Sequence, residues 1–208
     1  KNLNIEYVID DITPILNSAS VYMIREEIVQ KLFPNFNNLC KYRIIFTENF
    51  DNDGLSIPYL QVQDSQNQTH KVKISLNDYL TMTAATNIKH RTRMSRLYYH
   101  AEKNNFLVCG TTNKAEFQQG YFVKYGDGGV DIEPLVNLFK TEVYQLAESL
   151  NIPSEIIQRK ASPDTWSFQV SDEEFFFSLT YDIIDLMLYA QEKSIPLNDI
   201  CSTLEFDE

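Results

Sequence analysis

Apolar residues at helical spacing define the first long element of the chain. Between residues 16 and 32 they recur every three or four positions, at Val21, Ile24, Ile28 and Leu32. Because one helical turn takes about 3.6 residues, this spacing predicts a helix with one buried face. Thr13 and Pro14 precede it and are predicted to be its N-cap and its first helical residue.

More helices are predicted downstream on the same grounds. Residues 78–103 predict one long helix or a broken pair, with core candidates at Tyr79, Met82, Ile88, Met94, Leu97 and Tyr98. Residues 134–150 predict a helix whose inward-facing residues are Leu135, Leu138, Val143, Leu146 and Leu150. Shorter helices are predicted at residues 154–157, 181–190 and 197–204, and an aromatic helix is predicted to begin at 171–174.

Short apolar runs predict the strands. Residues 5–9 form a β-rich run, and residues 105–109 have the character of a strand buried in a parallel sheet. Residues 33–76 differ because they are rich in Asn, Gln, Asp and Ser. Within them, β-like runs lie at 42–46 and 71–74 and a tight turn at 51–54. This segment is interpreted as a polar insertion that forms a hairpin on the surface or at a subunit contact.

These elements predict one α/β domain over residues 1–208, with the polar insertion at about 33–76. The chain has 208 residues, of which 43% are apolar, so it can build a sizeable core and is not disordered throughout. No internal repeat and no coiled-coil heptad interrupts the pattern.

Charge and cysteine content exclude several classes of partner. The formal net charge of −11 argues against nucleic-acid binding, which needs a basic surface. An anionic substrate stays possible, because a few local Lys and Arg residues and a divalent cation can reverse the field inside one pocket. No apolar run reaches the roughly 20 residues that span a bilayer, so no membrane partner is expected. Three separated cysteines without a CxxC pair indicate a reducing, cytoplasmic compartment.

The sequence lacks the residues that two kinds of catalytic site require. The three histidines show no metal-ligand spacing. No Gly-x-Ser-x-Gly motif occurs, and Cys109 has no evident base partner. Covalent catalysis by a protein nucleophile is therefore disfavoured.

The stretch 110–134 is the main candidate for a site. It holds five of the six glycines, interleaved with Thr, Asn, Glu, Lys and Asp. Glycine allows positive φ and close approach to a ligand. The stretch also follows the predicted strand at 105–109 and runs into a predicted helix at Lys114, and ligands of open α/β sheets bind at such strand ends. A pair of surface turns is the alternative interpretation.

Four segments in a fixed order, within this stretch and on either side of it, make the interpretation as a site more specific. They are Arg-Thr-Arg-Met at 91–94, Gly-Thr-Thr-Asn-Lys-Ala-Glu at 110–116, Gly-Tyr-Phe-Val-Lys-Tyr-Gly-Asp-Gly-Gly-Val-Asp at 120–131 and Leu-Phe-Lys-Thr at 138–141. Together they closely resemble the ammonia-dependent NAD synthetases, and the run Lys-Tyr-Gly-Asp-Gly-Gly-x-Asp is particular to that family. Taken singly, these charged residues would be ordinary surface groups.

The resemblance implies a fold and a reaction. It implies a three-layer sandwich of a parallel sheet with helices on both faces, of the ATP-pyrophosphatase type, in a homodimeric enzyme. Such enzymes adenylate the nicotinate carboxylate of deamido-NAD with ATP and Mg²⁺, and ammonia then displaces AMP. By position, the resemblance implies ATP contacts at Thr111, Lys140 and Ser162, a magnesium ligand at Glu116, and dinucleotide contacts at Arg91, Lys124 and Asp131.

The chain also departs from the family pattern. The Ser-Gly-Gly-x-Asp-Ser phosphate loop is expected upstream of residue 1 and a late His-Lys pair beyond Glu208, so the chain is expected to be truncated at both ends. Residues 161–167, Ala-Ser-Pro-Asp-Thr-Trp-Ser, differ from the usual motif. Two alternatives therefore stay open: a related ligase for another carboxylate, for example in polysaccharide or sugar metabolism, or a non-catalytic nucleotide-binding or dimerisation module. The source of the ammonia, free or from glutamine, also stays open.

Overall fold

The computed structural model describes residues 5–46, 57–163, 165–177 and 179–204. The strands are β1 Lys41–Phe46, β2 Pro58–Gln63 and β3 Thr69–Lys73. The helices are α1 Thr13–Ser18, α2 Val21–Leu32, α3 Leu76–Asn104, α4 Lys114–Gln119, α5 Lys140–Ser149, α6 Ser154–Ile157, α7 Tyr181–Glu192 and α8 Leu197–Leu204. A π-helical turn spans Glu173–Phe177.

Helix α3 is the longest element, with 29 residues, and it is unbroken. Its start is fixed because the Ser75 hydroxyl accepts a hydrogen bond from the backbone N–H of Asp78 at 3.1 Å. It ends where Asn105 adopts a left-handed conformation, with φ of 55°. The predicted core residues Met82 and Met94 are buried. Leu97 was predicted to be buried but is half-exposed, because the apolar face of a straight helix this long drifts away from any one neighbour.

The segment interpreted as a polar insertion contributes a core of its own. Strands β1, β2 and β3 form an antiparallel sheet in that order, so the β-like runs at 42–46 and 71–74 are confirmed. Strand β2 was not predicted. One face of the sheet packs against helices α2 and α3, in a cluster of Ile28, Val29, Tyr42, Ile44, Leu60, Val62, Ile74 and Met82. The predicted tight turn at 51–54 lies outside the described residues.

Two predicted strands do not form among the described residues. Residues 5–9 are irregular, and Ile5, Tyr7, Val8 and Ile9 are exposed. Residues 105–109 are irregular as well, apart from one parallel bridge between Cys109 and Ile132. A strand needs a partner for its backbone hydrogen bonds, and none of the described strands pairs with either run. Both strand predictions are therefore wrong.

Helix boundaries differ from the prediction at two places. Ile12, not Thr13, is the N-cap of α1, and a left-handed Ser20 separates α1 from α2. The helix predicted at 134–150 begins only at Lys140, and none of its residues is buried. Leu146 and Leu150, predicted to face inward, are exposed because α5 makes few contacts besides those with α6 and α7. The short helices predicted at 154–157, 181–190 and 197–204 are confirmed as α6, α7 and α8.

The described residues thus form a helix-rich α/β structure with a small sheet. The second apolar cluster joins the start of α4 to α7, through Ala115, Phe139, Tyr181, Ile184 and Leu188. In the part of the chain that is described, none of the helices has both the length and the apolar character needed to cross a membrane.

The shared core predicts that strand β2 stabilises the whole fold. Leu60 on β2 is 0% exposed, whereas Leu80 on α3 is 55% exposed. We expect Leu60→Ala to lower the free energy of unfolding by about 2–5 kcal/mol, because it leaves a cavity between sheet and helices. Leu80→Ala, the same change at an exposed position, should cost about 0.5 kcal/mol or less. Urea unfolding followed by circular dichroism measures both, and equal small losses would show that the sheet is not part of the core.

Candidate active site

The start of helix α4 is built by a reciprocal pair of hydrogen bonds. The Asn113 side chain accepts from the backbone N–H of Glu116 at 3.0 Å, and Glu116 Oε2 accepts from the backbone N–H of Asn113 at 3.1 Å. This capping box satisfies two N–H groups that the helix cannot. It also fixes the direction of the Glu116 side chain, so this carboxylate is held by the backbone that carries it.

Gly110 allows the segment before α4 to lie against the segment before α5. Its N–H donates to the Ile132 carbonyl at 2.8 Å, and the N–H of Lys114 donates to the Leu138 carbonyl at 2.8 Å. A Cβ atom at Gly110 would lie only 2.5 Å from Glu133 Oε2, so a side chain does not fit here. The two helix starts are therefore held side by side, with Glu116 on one and Lys140 on the other.

Glu116 and Lys140 meet in a largely buried environment. Lys140 Nζ lies 3.8 Å from Glu116 Oε1, and each side chain is 18% exposed. The ammonium also lies 5.3 Å from the ring centroid of Tyr181 and 5.8 Å from that of Tyr144. Burial raises the pKa of Glu116, although the Asn113 hydrogen bond and the charge of Lys140 oppose the rise.

A second carboxylate, Asp172, completes the group around Lys140. Its Oδ1 accepts from the Tyr121 hydroxyl at 2.9 Å, and its Oδ2 accepts from the Tyr181 hydroxyl at 3.3 Å. Burial raises the pKa of Asp172, opposed by the Tyr121 hydrogen bond and by the charge of Lys140. Burial, and after it the charge of Asp172, also raises the pKa of both tyrosines.

We call this group the Lys140 cluster; its members are Glu116, Tyr121, Lys140, Asp172 and Tyr181. Two carboxylates face one lysine, so the cluster carries an excess of negative charge in a poorly solvated place. Such a place favours an additional cation and, through Lys140, an anion bound next to it. Across the described residues, no three His, Cys, Asp or Glu side chains come together as a metal site. A metal ion held at Glu116 would therefore take most of its ligands from a bound substrate or from water.

The glycine-rich loop after α4 docks on α3 and is not a free surface turn. A Cβ atom at Gly126 would lie 2.9 Å from His90 Cβ, which shows how closely the loop approaches the helix. The N–H of Val123 donates to Asp127 Oδ1 at 3.0 Å. Burial lowers the pKa of His90 on the helix side, and Asp127 opposes the shift.

Arg91, Lys124 and Asp131, predicted for the dinucleotide, lie on this loop and on α3. Arg91 Nε donates to the Lys124 carbonyl at 3.1 Å, so these two segments are in contact. Asp131 accepts from the Tyr98 hydroxyl at 3.1 Å and from the Val108 N–H at 2.7 Å. All three side chains are exposed, and among the described residues no hydrogen bond or ion pair joins them to the Lys140 cluster.

The other two predicted ATP contacts, Thr111 and Ser162, are exposed. Thr111 lies two residues before Asn113, the first residue of the capping box of α4. Ser162 follows Ala161, whose carbonyl accepts from the Asp172 N–H at 3.1 Å. The structure therefore brings Glu116 and Lys140 into contact and ties the Ser162 segment to the same cluster by way of Asp172.

Sequence reasoning missed Tyr121, Asp172 and Tyr181. Tyr121 is separated from Asp172 by 51 positions, and neither residue belongs to a pattern that points to the other. The acidic run at Asp172 was interpreted only as the start of a helix. The one available signal was the position of Tyr121, directly after the glycine that ends α4.

Comparisons with known proteins agree on one family. The family model described as NAD synthase matches residues 44–208. The NH(3)-dependent NAD(+) synthetase of Rhizobium meliloti (strain 1021) is 38% identical over 200 residues, which are 96% of this chain and 60% of that protein. The enzyme of the same name from Mesorhizobium japonicum is 38% identical over 206 residues, 99% of this chain and 65% of that protein.

The chain thus spans about three-fifths of the length of the curated relatives it matches. Among solved structures, the NMN synthetase of Francisella tularensis is 39% identical over 52% of this chain and 44% of that one, with a TM-score of 0.49.

The raised pKa of Asp172 predicts how stability depends on pH. The folded protein binds the Asp172 proton more tightly than the unfolded chain, whose reference pKa is 3.8. Stability from this group is therefore present at low pH and is lost as the pH rises from 3.8 through the raised value. We expect Asp172→Asn to become more stable relative to the wild type between about pH 4 and pH 7. Urea unfolding across this range measures the difference.

Asp64→Asn is the matched control. Hydrogen bonds from His70 and from backbone N–H groups lower the pKa of Asp64. Its contribution is present above the unfolded pKa, so this variant should lose stability relative to the wild type as the pH rises from about 3 to 5. If both variants changed in the same direction, the cluster would not perturb Asp172 as described.

Proposed function

This chain belongs to the NAD synthase family, and we propose that the protein carrying it is an ATP-dependent amide ligase. The carboxylate of deamido-NAD attacks the α-phosphate of ATP and releases pyrophosphate, and ammonia then displaces AMP to give NAD. The observation that supports this proposal best is the contact of Lys140 with Glu116 at the paired starts of α4 and α5. Adenylation brings two anions together, and a largely desolvated lysine beside a carboxylate fits that task.

Lys140 would hold the phosphates of ATP, with Thr111 and Ser162 as further contacts. Its ammonium is directed by Glu116 and by the tyrosine rings, so little reorganisation would be needed when phosphate arrives. Asp172 accepts hydrogen bonds from the hydroxyls of Tyr121 and Tyr181. The two tyrosine rings would then exclude water from the side of Lys140 that faces away from the substrate. Exclusion of water strengthens the attraction between the lysine and the phosphates.

The donor set fits a magnesium ion that is shared with ATP. Glu116 Oε2 is used by the Asn113 N–H, whereas Oε1 lies 3.8 Å from Lys140, beyond hydrogen-bond distance, and can serve as a ligand. Both Asp172 oxygens already accept from tyrosines, so Asp172 is the poorer ligand. Magnesium prefers one or two carboxylates together with phosphate oxygens. When bound, it would neutralise charge on the phosphates that leave.

The dinucleotide would lie over the docked loop. Arg91, Lys124 and Asp131 are exposed there and present two cations and one carboxylate. The Arg91 side chain is held by the Lys124 carbonyl, and the Lys124 ammonium lies 5.1 Å from the Tyr125 ring centroid. Two fixed cations suit a pyrophosphate, and a carboxylate suits ribose hydroxyls.

For the whole protein we propose the three-layer parallel sandwich, as a homodimer in the cytoplasm. Residues 105–109 form no strand among the described residues, but the isolated bridge between Cys109 and Ile132 is parallel, as pairing in such a sheet would be. Three free cysteines among the described residues support a reducing compartment. A single NAD-synthetase-like domain with its phosphate loop upstream is part of the same proposal.

A related ligase for another carboxylate is the second candidate. It is favoured by residues 161–167, which depart from the family motif and lie next to the Lys140 cluster through the contact of Ala161 with Asp172. The two candidates share the adenylation step and differ only in the acid that is activated. A non-catalytic module is the third possibility.

One experiment separates these candidates. The full-length protein is incubated with ATP, Mg²⁺, ammonium and deamido-NAD, and AMP, pyrophosphate and NAD are measured. We expect AMP and NAD in equal amounts. Pyrophosphate release only with other acids would support the second candidate, and no AMP with any acid would overturn the ligase proposal.

Glu116→Gln tests the role of the carboxylate without breaking helix α4. Glutamine at this position also completes a capping box, so stability should change by about 1 kcal/mol or less. Loss of the charge should lower kcat by about 100-fold. Initial rates of AMP formation at saturating Mg²⁺ measure the effect.

Glu142→Gln is the matched control. Glu142 occupies the equivalent position in α5, where its Oε2 accepts from the Phe139 N–H at 2.8 Å. It lies outside the Lys140 cluster, so this variant should keep the wild-type rate. An unchanged rate in Glu116→Gln as well would remove Glu116 from the site.

A further inference from the structure

We propose that the antiparallel sheet and Arg25 form a fixed seat for residues 165–172, called here the seated loop. The seat sets where Ser162 and Asp172 lie at the active site, which makes Arg25 a positioning residue. The functional roles of Ser162 and Asp172 rest on the proposed function, whereas the seat rests on contacts of the fold alone.

Arg25 on α2 is buried, with 4% of its surface exposed. Its guanidinium donates to the Thr165 carbonyl at 2.9 Å and stacks on two rings, with centroids at 4.7 Å for Trp166 and 5.2 Å for Tyr42. No carboxylate forms an ion pair with it among the described residues. A buried cation is costly unless it is compensated, and here the compensation comes from the loop and from β1. The positions of Arg25 and the loop are therefore interdependent.

The outer edge of β1 holds the same loop. β1 is an edge strand in the order β1-β2-β3, so its outer backbone groups need partners. The Tyr42 N–H donates to Ser167 Oγ at 3.0 Å, and the Phe168 N–H donates to the Tyr42 carbonyl at 3.2 Å. The seated loop thus takes the place of a fourth strand over two residues.

Arg43 makes a second set of contacts with the seated loop. Its guanidinium donates to the Gln169 carbonyl at 2.9 Å and lies 4.4 Å from the ring centroid of Phe168. The Nε–H of the same guanidinium donates to Gln61 Oε1 on β2 at 2.7 Å. Arg43 therefore connects the loop to the interior of the sheet, beyond the edge strand.

The end of the seated loop is bound at the active site. The Asp172 N–H donates to the Ala161 carbonyl at 3.1 Å, so Asp172 lies beside the residue that precedes Ser162. Asp172 then accepts the two tyrosine hydroxyls, and Ala161 packs on the cluster of Phe139 and Tyr181. Because Thr165, Ser167 and Gln169 are bound by Arg25 and β1, we expect movement of the seat to displace Asp172 and, through its bond to Ala161, Ser162.

The segment at 33–76 also holds the loop that leads into the site. Tyr42 and Arg43 on β1 make hydrogen bonds with the seated loop, and Gln61 on β2 accepts from Arg43. Tyr42 belongs to the core cluster of Ile44 and Leu60, whereas Arg43 alternates to the other face of the strand and lies outside that cluster. The contacts of Arg43 with the loop are thus separable from building the core.

Hydrogen exchange of the full-length protein without substrate tests the seat directly. Arg25→Met keeps an apolar stem of similar length but removes the charge and the hydrogen bond to Thr165. We expect the Phe168 and Asp172 amides to exchange roughly tenfold faster, while amides of α3 stay unchanged, because only the loop opens. Ser167→Ala, at an exposed position, should give a smaller increase in the exchange rates of the same two amides. It tests the seat even if Arg25→Met does not fold.

Val62→Ala is the control for general loss of stability. Val62 belongs to the core cluster against which Trp166 packs, but among the described residues it makes none of the hydrogen bonds or cation–π contacts that hold the seated loop. It should speed exchange across the sheet and not selectively in the loop. Wild-type exchange at Phe168 and Asp172 in both Arg25→Met and Ser167→Ala would overturn the seat, whether or not the protein makes NAD.

Steady-state kinetics then test positioning. We expect Arg25→Met to raise the KM for ATP about fivefold or more, with a smaller change in kcat, because Ser162 is displaced in the free enzyme. Arg25→Lys, which can still donate to Thr165, should recover part of the change. Val62→Ala should leave the KM unchanged. A KM for ATP that stays at the wild-type value in Arg25→Met would overturn the positioning role while leaving the proposed function intact.

Discussion

The limited solvation of the Lys140 ammonium, which lies beside Glu116 and close enough to Asp172 to affect its pKa, is the constraint on which the site depends. Lys140 comes from the first turn of α5, Glu116 from the first turn of α4, and Asp172 from the loop that follows α6. A poorly solvated charge must find opposite charge nearby, so these three elements cannot move independently. The capping box at Asn113 and the close approach at Gly110 are the local means by which the backbone meets that requirement.

Prediction from sequence succeeded where the interactions are local. The apolar residues of α3 recur every few positions, and the helix is capped by Ser75 directly before its first turn. Such local features allow a helix to be predicted. The runs at 5–9 and 105–109 show the opposite case, because strand formation depends on a distant partner that composition does not reveal. Strand β2 was not predicted, because the polar residue Gln61 is buried there and interrupts the run of apolar residues that would indicate a strand. In the site, family resemblance indicated Glu116 and Lys140, whereas Asp172 required the three-dimensional structure.

The polar composition of the 33–76 segment concealed a division between its two sides. One side of the sheet carries aliphatic residues that complete a core with α2 and α3. The edge strand binds the loop leading into the site through the Tyr42 backbone and the Arg43 side chain, and Gln61 accepts from Arg43. Arg25 and Arg43 also stack on Trp166 and Phe168 of the loop, and such cation–π contacts tolerate a polar sequence that an aliphatic interface would not.

The chain contains a single tryptophan, and the fold places it on the seated loop. Trp166 lies under the Arg25 guanidinium, with Tyr42 and Phe175 as edge-on and tilted neighbours at 6.2 and 6.1 Å between centroids. Its indole N–H is buried without an acceptor among the described residues. Departure of the loop would expose this ring to water and to new hydrogen bonds. The tryptophan fluorescence of this chain therefore reports on the seated loop alone. Movements of the loop that accompany ligand binding can be followed in real time without an attached label.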